Sequence, residues 1–479
     1  MSHRGEKILR VGTLLPVSLI HPQLNSEYTA HLVCRQIFEP LYNLPAPAQQ
    51  IRPLLLNQPL EQLSSSKEAQ IFSARLRSDV KFSDATPLEP EHVINSLNHE
   101  AFRCPAEVSA KGNCIIFHLE RPDTNFHLKL TQIACAPTIE SNGKLLGTGP
   151  FHLLANSTPE CIYLERNPHY RFAVPLDGII FKAYPPDKDG SKRTLTEAVK
   201  SGEIDLTTFL DKDDLSQLSG LRKWLEPGSS LCNLYMNTER DPFNNAAVRK
   251  AIAMSIDRMK LAAACFGNAL AFAARGPLPP MMGNWHDLIT YNPQKAKLML
   301  QEMGLPAFRK YKMVCPWGPR PYVPYPIRMI SLLREMLGVL GIKFDTVVPE
   351  DLNDYRRHII SGDYDFALLG WIADSPDPMD FLEAIYASSS VPDHISKPAF
   401  LVNDSRWRNA DMDAAIKAYR AEPLDSKKYI QERILAILSD EVPVIPLMYG
   451  PTLGAHTFKV KNLKPHPLPM VSLGKVDFW

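Results

Sequence analysis

The chain has 479 residues, and because a single hydrophobic core stops growing at about 250–300 residues, at least two lobes are expected. Hydrophobic residues make up 45% of the chain and charged residues 22%, which is typical of a soluble globular protein. The net charge of +1 lacks the basic excess that binds phosphate backbones, so nucleic acid is excluded as an expected partner.

The N-terminal segment MSHRGEKILRVGTLLPVSLI has only a short apolar run, which Pro16 interrupts. No stretch of the sequence approaches the about 18 apolar residues that a membrane-spanning helix requires. The sequence therefore predicts neither such a helix nor a secretory leader. Two interpretations remain open: a mature exported form with an added start methionine, or a native Met1 and a protein that stays inside the cell.

In the first half of the chain, short apolar and alternating segments predict strands separated by turn clusters. These predicted strands cover residues 8–14, 70–76, 114–119, 151–154, 162–165 and 178–184. Glu89-Pro90-Glu91 places negative charge at the start of a predicted helix, and a second helix is predicted over 195–202, where Gly202 ends it. The first half is thus predicted to be rich in strands.

In the second half of the chain, helical patterns alternate with predicted strands. Asn245 and Asn292 each precede an apolar stripe at helical spacing, which predicts two capped helices. After them, strands at 311–317, 342–348 and 364–372 alternate with helices at 327–340 and 352–360. This alternation is typical of right-handed crossovers that build a parallel sheet, where ligands sit beyond the carboxyl ends of the strands. We therefore expect the segments 317–320 and 371–374 to lie side by side at that edge.

The eight cysteines are scattered without CxxC or zinc spacing, so no metal site is predicted and most cysteines are interpreted as small buried residues. Cys104 and Cys114 are placed to pair across a hairpin if the compartment is oxidising. There is no GxSxG motif and no phosphate-binding GxxxxGK[ST] motif. The sequence accordingly predicts no enzyme activity and no cofactor.

Eight segments occur in the order found in one known family: RQIFEPLYNL (35–44), FSARLRSDVKFSDATPLEPEHVINSL (72–97), GTGPF (147–151), EAVKSGEIDL (197–206), NLYMNTERDPFNNAAVRKAIAMSIDR (233–258), YNPQKAKLML (291–300), GDYDFALLGWIADSPDP (362–378) and VPVIPLMYG (442–450). On these segments the chain resembles the family 5 extracellular solute-binding proteins. These are the dipeptide- and oligopeptide-binding components of ABC importers.

The resemblance implies an α/β, two-lobed fold like that of the periplasmic binding proteins, class II and of the peptide-binding type. Lobe I would contain residues 1–231 and 445–479, and lobe II residues 232–444. The crossing strands would lie near 231–236 and 443–448. The extra subdomain of lobe I, roughly residues 45–145, is reduced. Ala85 stands where the family usually has a glycine in the FSDGTPL turn.

The resemblance also implies a ligand site. Asp374 of the W-x-x-D segment would pair with the ammonium group of a peptide, and Arg320 of an R-P-Y segment with its carboxylate. Alternatively, Asp374 only caps a turn, and Arg320 is a surface residue or pairs with Asp374. Members that bind longer peptides have an arginine where this chain has Leu368, so a short or non-peptide ligand is favoured.

Further residues are predicted to line the pocket, since aromatic walls accept varied side chains. They are Trp371, Trp317, Tyr235 and Tyr42, with Cys232 in the crossing strand. The alternative for each aromatic residue is a position in the hydrophobic core.

The predicted function is a monomeric substrate-binding protein that captures a short peptide in a cleft between the lobes and delivers it to an ABC transporter permease. Its location would be periplasmic or extracytoplasmic, or cytoplasmic if Met1 is native. Two alternatives stay open on the same fold. One is a leaderless cytosolic sensor or accessory protein, and the other is a binder of a nickel chelate, haem, an opine or an oligosaccharide.

Overall fold

The computed structural model describes residues 6–24, 27–44, 51–66, 69–100, 102, 104–186, 192–285, 289–304, 310–316, 318–373, 375–392, 402–422, 427–468 and 471–479. The chain forms two units: unit 1 comprises Met1–Leu225 and Thr452–Trp479, and unit 2 comprises Glu226–Pro451. The chain passes from one unit to the other within two long strands, Arg222–Met236 and Val444–His456. The predicted lobe boundaries, after residues 231 and 444, fall in the same two strands.

The strands, in chain order, are β1 (Ile8–Thr13), β2 (Tyr42–Asn43), β3 (Arg52–Pro53), β4 (Glu61–Ser65), β5 (Gln70–Arg75), β6 (Ala106–Lys111), β7 (Cys114–Leu119), β8 (Ile139–Ser141), β9 (Lys144–Leu146), β10 (Phe151–Leu153), β11 (Cys161–Arg166), β12 (Gly178–Ala183), β13 (Leu206–Thr207), β14 (Arg222–Met236), β15 (Lys310–Val314), β16 (Lys343–Val347), β17 (Phe366–Ile372), β18 (Val444–His456), β19 (Val460–Lys461) and β20 (Asp477–Phe478).

The helices are α1 (Tyr28–Ile37), α2 (Pro90–Leu97), α3 (Phe126–Lys129), α4 (Arg193–Lys200), α5 (Lys212–Gln217), α6 (Ala246–Ser255), α7 (Arg258–Phe266), α8 (Ala269–Phe272), α9 (Pro293–Glu302), α10 (Pro326–Gly338), α11 (Leu352–Ser361), α12 (Met379–Phe381), α13 (Ala410–Ala421) and α14 (Lys427–Glu441). Short 3₁₀ turns lie at Ile133–Cys135, Pro280–Met282 and Ser388–Ser390, and a π-helical turn at Leu382–Tyr386.

Unit 1 is built on a mixed sheet with the strand order β10-β11-β12-β1-β13-β18. Strand β1 runs parallel to both β12 and β13, whereas β11 is antiparallel to β10 and β12. Alternate residues of β1, Leu9 and Val11, are fully buried and pack with Val33 of α1 in one core. The period-two pattern therefore directs one face of β1 into the interior.

A smaller sheet with the order β4-β5-β7-β6 forms a subdomain of unit 1 within the region predicted at 45–145. Its strands are antiparallel, and Phe72 and Phe117 pack their rings on Phe126 of α3. The β6–β7 pairing sets Cys114 opposite Lys111 at the turn, and Cys104 precedes β6. Both cysteines are free thiols, so the Cys104–Cys114 pairing considered for an oxidising compartment is not formed in this structure.

Ala85 has φ of 75°, the left-handed region that favours glycine. Its N–H donates to the carbonyl of Phe82 (3.0 Å), and Phe82 N–H donates to Thr86 (2.8 Å), so the chain reverses here. The chain thus makes this turn without a glycine. An L side chain in this region costs about 1 kcal/mol, which the surrounding hydrogen bonds offset.

In the sheet of unit 2 the strands lie in the order β18-β14-β17-β15-β16. Strand β15 runs parallel to both β16 and β17, which confirms the predicted parallel crossovers through α10 and α11. Strand β14 is antiparallel to β17. Phe243, Tyr311 and Phe366 form an aromatic cluster in the core of this unit, with the rings of Phe243 and Phe366 4.8 Å apart.

The predicted helix starts of unit 2 are confirmed. The Asn245 side chain accepts from the N–H of Ala247, and the Asn292 side chain from the N–H of Lys295. Two strand ends differ from the prediction: β15 ends at Val314, and β18 continues to His456. The crossing strand was predicted near 443–448, but β18 continues through Gly450-Pro451 into unit 1.

Candidate functional site

The candidate site is the edge of the unit 2 sheet at the carboxyl ends of β15 and β17. These strands pair in parallel, with Met313 beside Phe366 and Val314 beside Ala367. The segments that follow Val314 and Ile372 consequently leave the sheet at the same edge, as the alternating pattern predicted. Of the predicted site residues, Arg320 lies in the segment after β15 and Trp371 lies near the end of β17, whereas Trp317 and Asp374 lie outside the described residues.

Arg320 lies at the start of a tight turn. Its N–H donates to the carbonyl of Val323 (3.1 Å), and the N–H of Val323 donates back to the carbonyl of Arg320 (2.9 Å). The side chain of Arg320 is half-buried, and burial lowers the pKa of its guanidinium. A partly desolvated cation attracts an anion more strongly than one in bulk water does. Arg320 is therefore suited to hold a carboxylate.

Trp371 lies on β17 opposite Leu231 of β14 and is half-buried. Among the described residues, its indole Nε1 is buried without a hydrogen-bond partner. A buried donor that lacks a partner costs free energy, but among the same residues Nε1 of Trp224 is also buried without one, so this feature does not distinguish a ligand contact from a core position. Trp371 thus stays a predicted lining residue at the sheet edge.

Tyr235 and Cys232 lie on opposite faces of β14. Tyr235 is 2% exposed, and its hydroxyl accepts from Nδ2 of Asn233 (3.2 Å), so its ring belongs to the interior of unit 2. Cys232 lies opposite Gly370 and is fully buried, which raises the pKa of its thiol well above the usual value. Cys232 is therefore neutral and resembles a small apolar side chain.

Tyr42 lies in unit 1 and belongs to the core of the subdomain. Its hydroxyl accepts from the N–H of Leu60 (2.6 Å), and burial raises its pKa. The ring thus has a structural role at this position, and its predicted contact with a ligand stays a prediction.

Tyr322 was not singled out by the sequence analysis, although it follows Arg320 in the R-P-Y segment. It is almost completely buried beside Gly370 of β17 and Gly450 of β18. The signal in the sequence was the presence of glycines inside two apolar strands, because such glycines often mark a close approach of another group.

A buried carboxylate, Asp404, lies elsewhere in unit 2. Oδ2 accepts from the hydroxyl of Tyr355 (3.0 Å), and Oδ1 has no hydrogen-bond partner among the described residues. The nearby charges of Arg356 and Arg406 lower its pKa, but burial dominates and raises it to about 6. Asp404 therefore ionises near neutral pH at a cost to the folded state.

Replacing Asp404 by asparagine is expected to change the pH dependence of stability. The pKa of Asp404 is about 6 in the folded chain and about 4 in the unfolded chain, so this group costs stability as pH rises through that window. The stability gained by D404N should be about 2 kcal/mol larger near pH 7.5 than near pH 4.5. Urea unfolding at both pH values measures the difference.

The matched control is Asp363, an exposed carboxylate of the same unit. Its hydrogen-bonded ion pair with Lys312 (2.6 Å) lowers its pKa, so it stabilises the fold above its unfolded pKa. D363N should therefore show a small dependence of opposite sign. A stability difference for D404N that does not vary with pH would contradict the assignment.

Two classes of site find no support in the part of the chain that the structure describes. There, no helix is both long and apolar enough to span a membrane. Among the same residues, no three histidine, cysteine or acidic side chains are grouped so that they could hold a metal ion.

A sequence model described as bacterial extracellular solute-binding proteins, family 5, middle region, matches residues 50–393. The chain belongs to this family. Its two-lobed α/β fold is that of the periplasmic solute-binding proteins of family 5.

Three comparisons illustrate the range of relatives of this family 5 protein. It is 26% identical over 387 residues to the peptide transport periplasmic protein SapA of Salmonella typhimurium, covering 76% of this chain and 68% of that protein. It is also 26% identical over 422 residues to heme-binding protein A of Haemophilus influenzae, covering 81% and 74%. The crystal structure of the dipeptide-binding protein of Pseudoalteromonas sp. SM9913 with Met-Leu superposes with a TM-score of 0.82 at 20% identity, covering 99% and 100%.

Proposed function

We propose that this solute-binding protein captures a short peptide and delivers it to the permease of an ABC transporter. The observation that carries the proposal is the half-buried cation of Arg320, in a hydrogen-bonded turn at the carboxyl edge of β15 and β17. In the sequence, the proposed carboxylate Asp374 comes between Ala373 and Ser375, which are both buried. One cation and one carboxylate suit the two charged ends of a peptide.

The physical basis is charge-assisted recognition of a small zwitterion. A guanidinium binds a carboxylate through two parallel N–H donors, and a carboxylate accepts from an ammonium group in short, strong hydrogen bonds. Two such contacts at fixed positions select for the distance between the ends of the ligand. Leu368, which is fully buried, stands where members that bind longer peptides have an arginine, and this favours a short ligand.

The relatives support a peptide as the ligand. SapA is named for peptide transport, and the superposed crystal structure holds Met-Leu. We further propose that the protein acts as a monomer outside the cytoplasm and that it catalyses no reaction. The family description, extracellular solute-binding, supports the location and the binding role.

Isothermal titration calorimetry with L-alanyl-L-phenylalanine tests the function. We expect binding of one dipeptide per chain. The N-acetylated and C-terminally amidated forms should each bind at least about tenfold more weakly, because each removes one charge that a desolvated partner would hold. Equal affinity for all three forms would contradict recognition of the two charged ends.

Haem is the second candidate, because heme-binding protein A matches a larger share of this chain at the same identity as SapA. The same purified protein should be titrated with haemin and followed by the Soret absorption. A stoichiometric haem complex without dipeptide binding would replace the peptide proposal. Native mass spectrometry of the protein as purified adds an independent readout of any bound solute.

A further inference from the structure

Tyr322 packs against strands on one face of the unit 2 sheet. A methyl group on Gly370 of β17 would lie 2.7 Å from Cδ2 of the Tyr322 ring. A methyl group on Gly450 of β18 would lie 2.9 Å from Cα of Tyr322 and 3.1 Å from its Cβ. Carbon atoms do not approach this closely without displacement, so both strands need glycine where Tyr322 lies against them.

Three features fix the position of Tyr322. It is 5% exposed, Val323 after it is fully buried, and the two hydrogen bonds between Arg320 and Val323 close the turn on either side. Strand β15 ends at Val314, so Tyr322 lies in the segment that follows this strand. The backbone of Gly370 also interacts with the phenol oxygen, while burial raises the pKa of Tyr322.

We propose that Tyr322 is a positioning residue: held against Gly370 and Gly450, it sets the place and direction of the Arg320 side chain at the sheet edge. The inference rests on the proposed function, because Arg320 is there the partner of the peptide carboxylate. Recognition of that carboxylate then depends on Gly370, Gly450 and Tyr322, none of which touches it.

A fixed backbone preorganises the Arg320 side chain for its ligand. An arginine loses side-chain entropy when it is held in one conformation. If the backbone that carries it also moved, the carboxylate would bind a broad set of guanidinium positions, and the paired hydrogen bonds would be lost. A displacement of about 1 Å can cost a hundredfold in systems that depend on such geometry.

Four variants separate this role from simple packing. Y322A removes the ring, whereas Y322F keeps it and serves as the conservative control. G450A leaves Tyr322 intact and displaces it, but its methyl group would also lie 2.2 Å from Oγ of Ser230. S230A removes that oxygen and controls for this second contact.

Calorimetry with L-alanyl-L-phenylalanine and its C-terminal amide gives the readout, which is the ratio of the two affinities. Y322A and G450A should lower this ratio by about tenfold or more, with little change in the affinity for the amide. Y322F and S230A should keep the ratio of the unmodified protein. Equal losses for the acid and the amide, or an unchanged ratio in Y322A and G450A, would overturn the proposal.

Hydrogen exchange followed by mass spectrometry tests the same inference without a ligand. The amides of Arg320 and Val323 should exchange faster in Y322A and G450A than in Y322F and S230A, because the turn loses its support. Identical exchange in all four variants overturns the proposal. If the unmodified protein binds neither form of the dipeptide, the proposed function fails, and the exchange result alone decides whether Tyr322 fixes the turn.

Discussion

Replacing Arg171 by methionine is expected to lower the free energy of unfolding of unit 1 by about 3–5 kcal/mol, the usual cost of removing one partner of a buried ion pair. Its guanidinium donates to both oxygens of Glu39, at 2.7 and 3.0 Å, and both side chains are almost completely buried. Tyr170 (2.9 Å) and Thr148 (3.1 Å) also donate to Glu39. Without Arg171 the carboxylate would remain buried and uncompensated.

Chemical denaturation followed by circular dichroism measures the effect, and the chain offers a matched control. Arg166 pairs with Asp177 in the same unit, but both of these side chains are well exposed. R166M should therefore cost less than about 1 kcal/mol. The double variant E39Q/R171M should recover part of the loss, because it also removes the buried, unpaired carboxylate charge of Glu39. Similar losses for R171M and R166M would show that the buried pair contributes no more than a surface pair.

The second large effect is expected at Asp374. D374N should weaken the binding of a dipeptide with a free α-ammonium group by about 2–5 kcal/mol, the range for truncating one partner of a buried, hydrogen-bonded charge pair. Titration calorimetry with L-alanyl-L-phenylalanine measures the loss. The reason is that asparagine keeps the shape of the side chain but removes the charge that would compensate the ammonium group.

Two comparisons make this test specific. D363N removes an exposed carboxylate from the same unit and should leave binding unchanged, since Asp363 is engaged with Lys312 and Arg240. An N-acetylated dipeptide carries no ammonium group, so the unmodified protein and D374N should bind it with similar affinity. Undiminished binding of the free dipeptide by D374N would remove Asp374 from the proposed site.

The fold of unit 2 was predictable from the sequence because the sequence patterns that indicate it are local. Asparagine caps, helical stripes and alternating strands and helices each span a short segment, and right-handed crossovers then fix that β15, β16 and β17 are parallel. The same rule predicted that Arg320 and Trp371 lie at the carboxyl ends of neighbouring strands. The roles of Arg320 and Asp374 came only from the family resemblance and stay predictions.

The features that could not be predicted depend on segments distant in the sequence. Glu39 and Arg171 are 132 positions apart, and nothing in either segment indicates its partner. Asp404 lies in the segment VNDSR, which is typical of a surface loop, yet it is buried by Tyr355 and its neighbours. Tyr322 requires glycines from two other strands, and that requirement becomes visible only once the three segments are packed together.

Unit 1 consists of two separate pieces of chain, whereas unit 2 is continuous. This arrangement affects the order in which the two units can fold during translation. Asp205, which is fully buried, is balanced by Arg10 (2.9 Å) and by Lys459 (2.6 Å), and strand β13 pairs with the end of β18. Domains usually mature in the order of synthesis. Here unit 1 cannot be completed until residues 452–479 have been translated, so unit 2, which is continuous and made before them, is free to fold first.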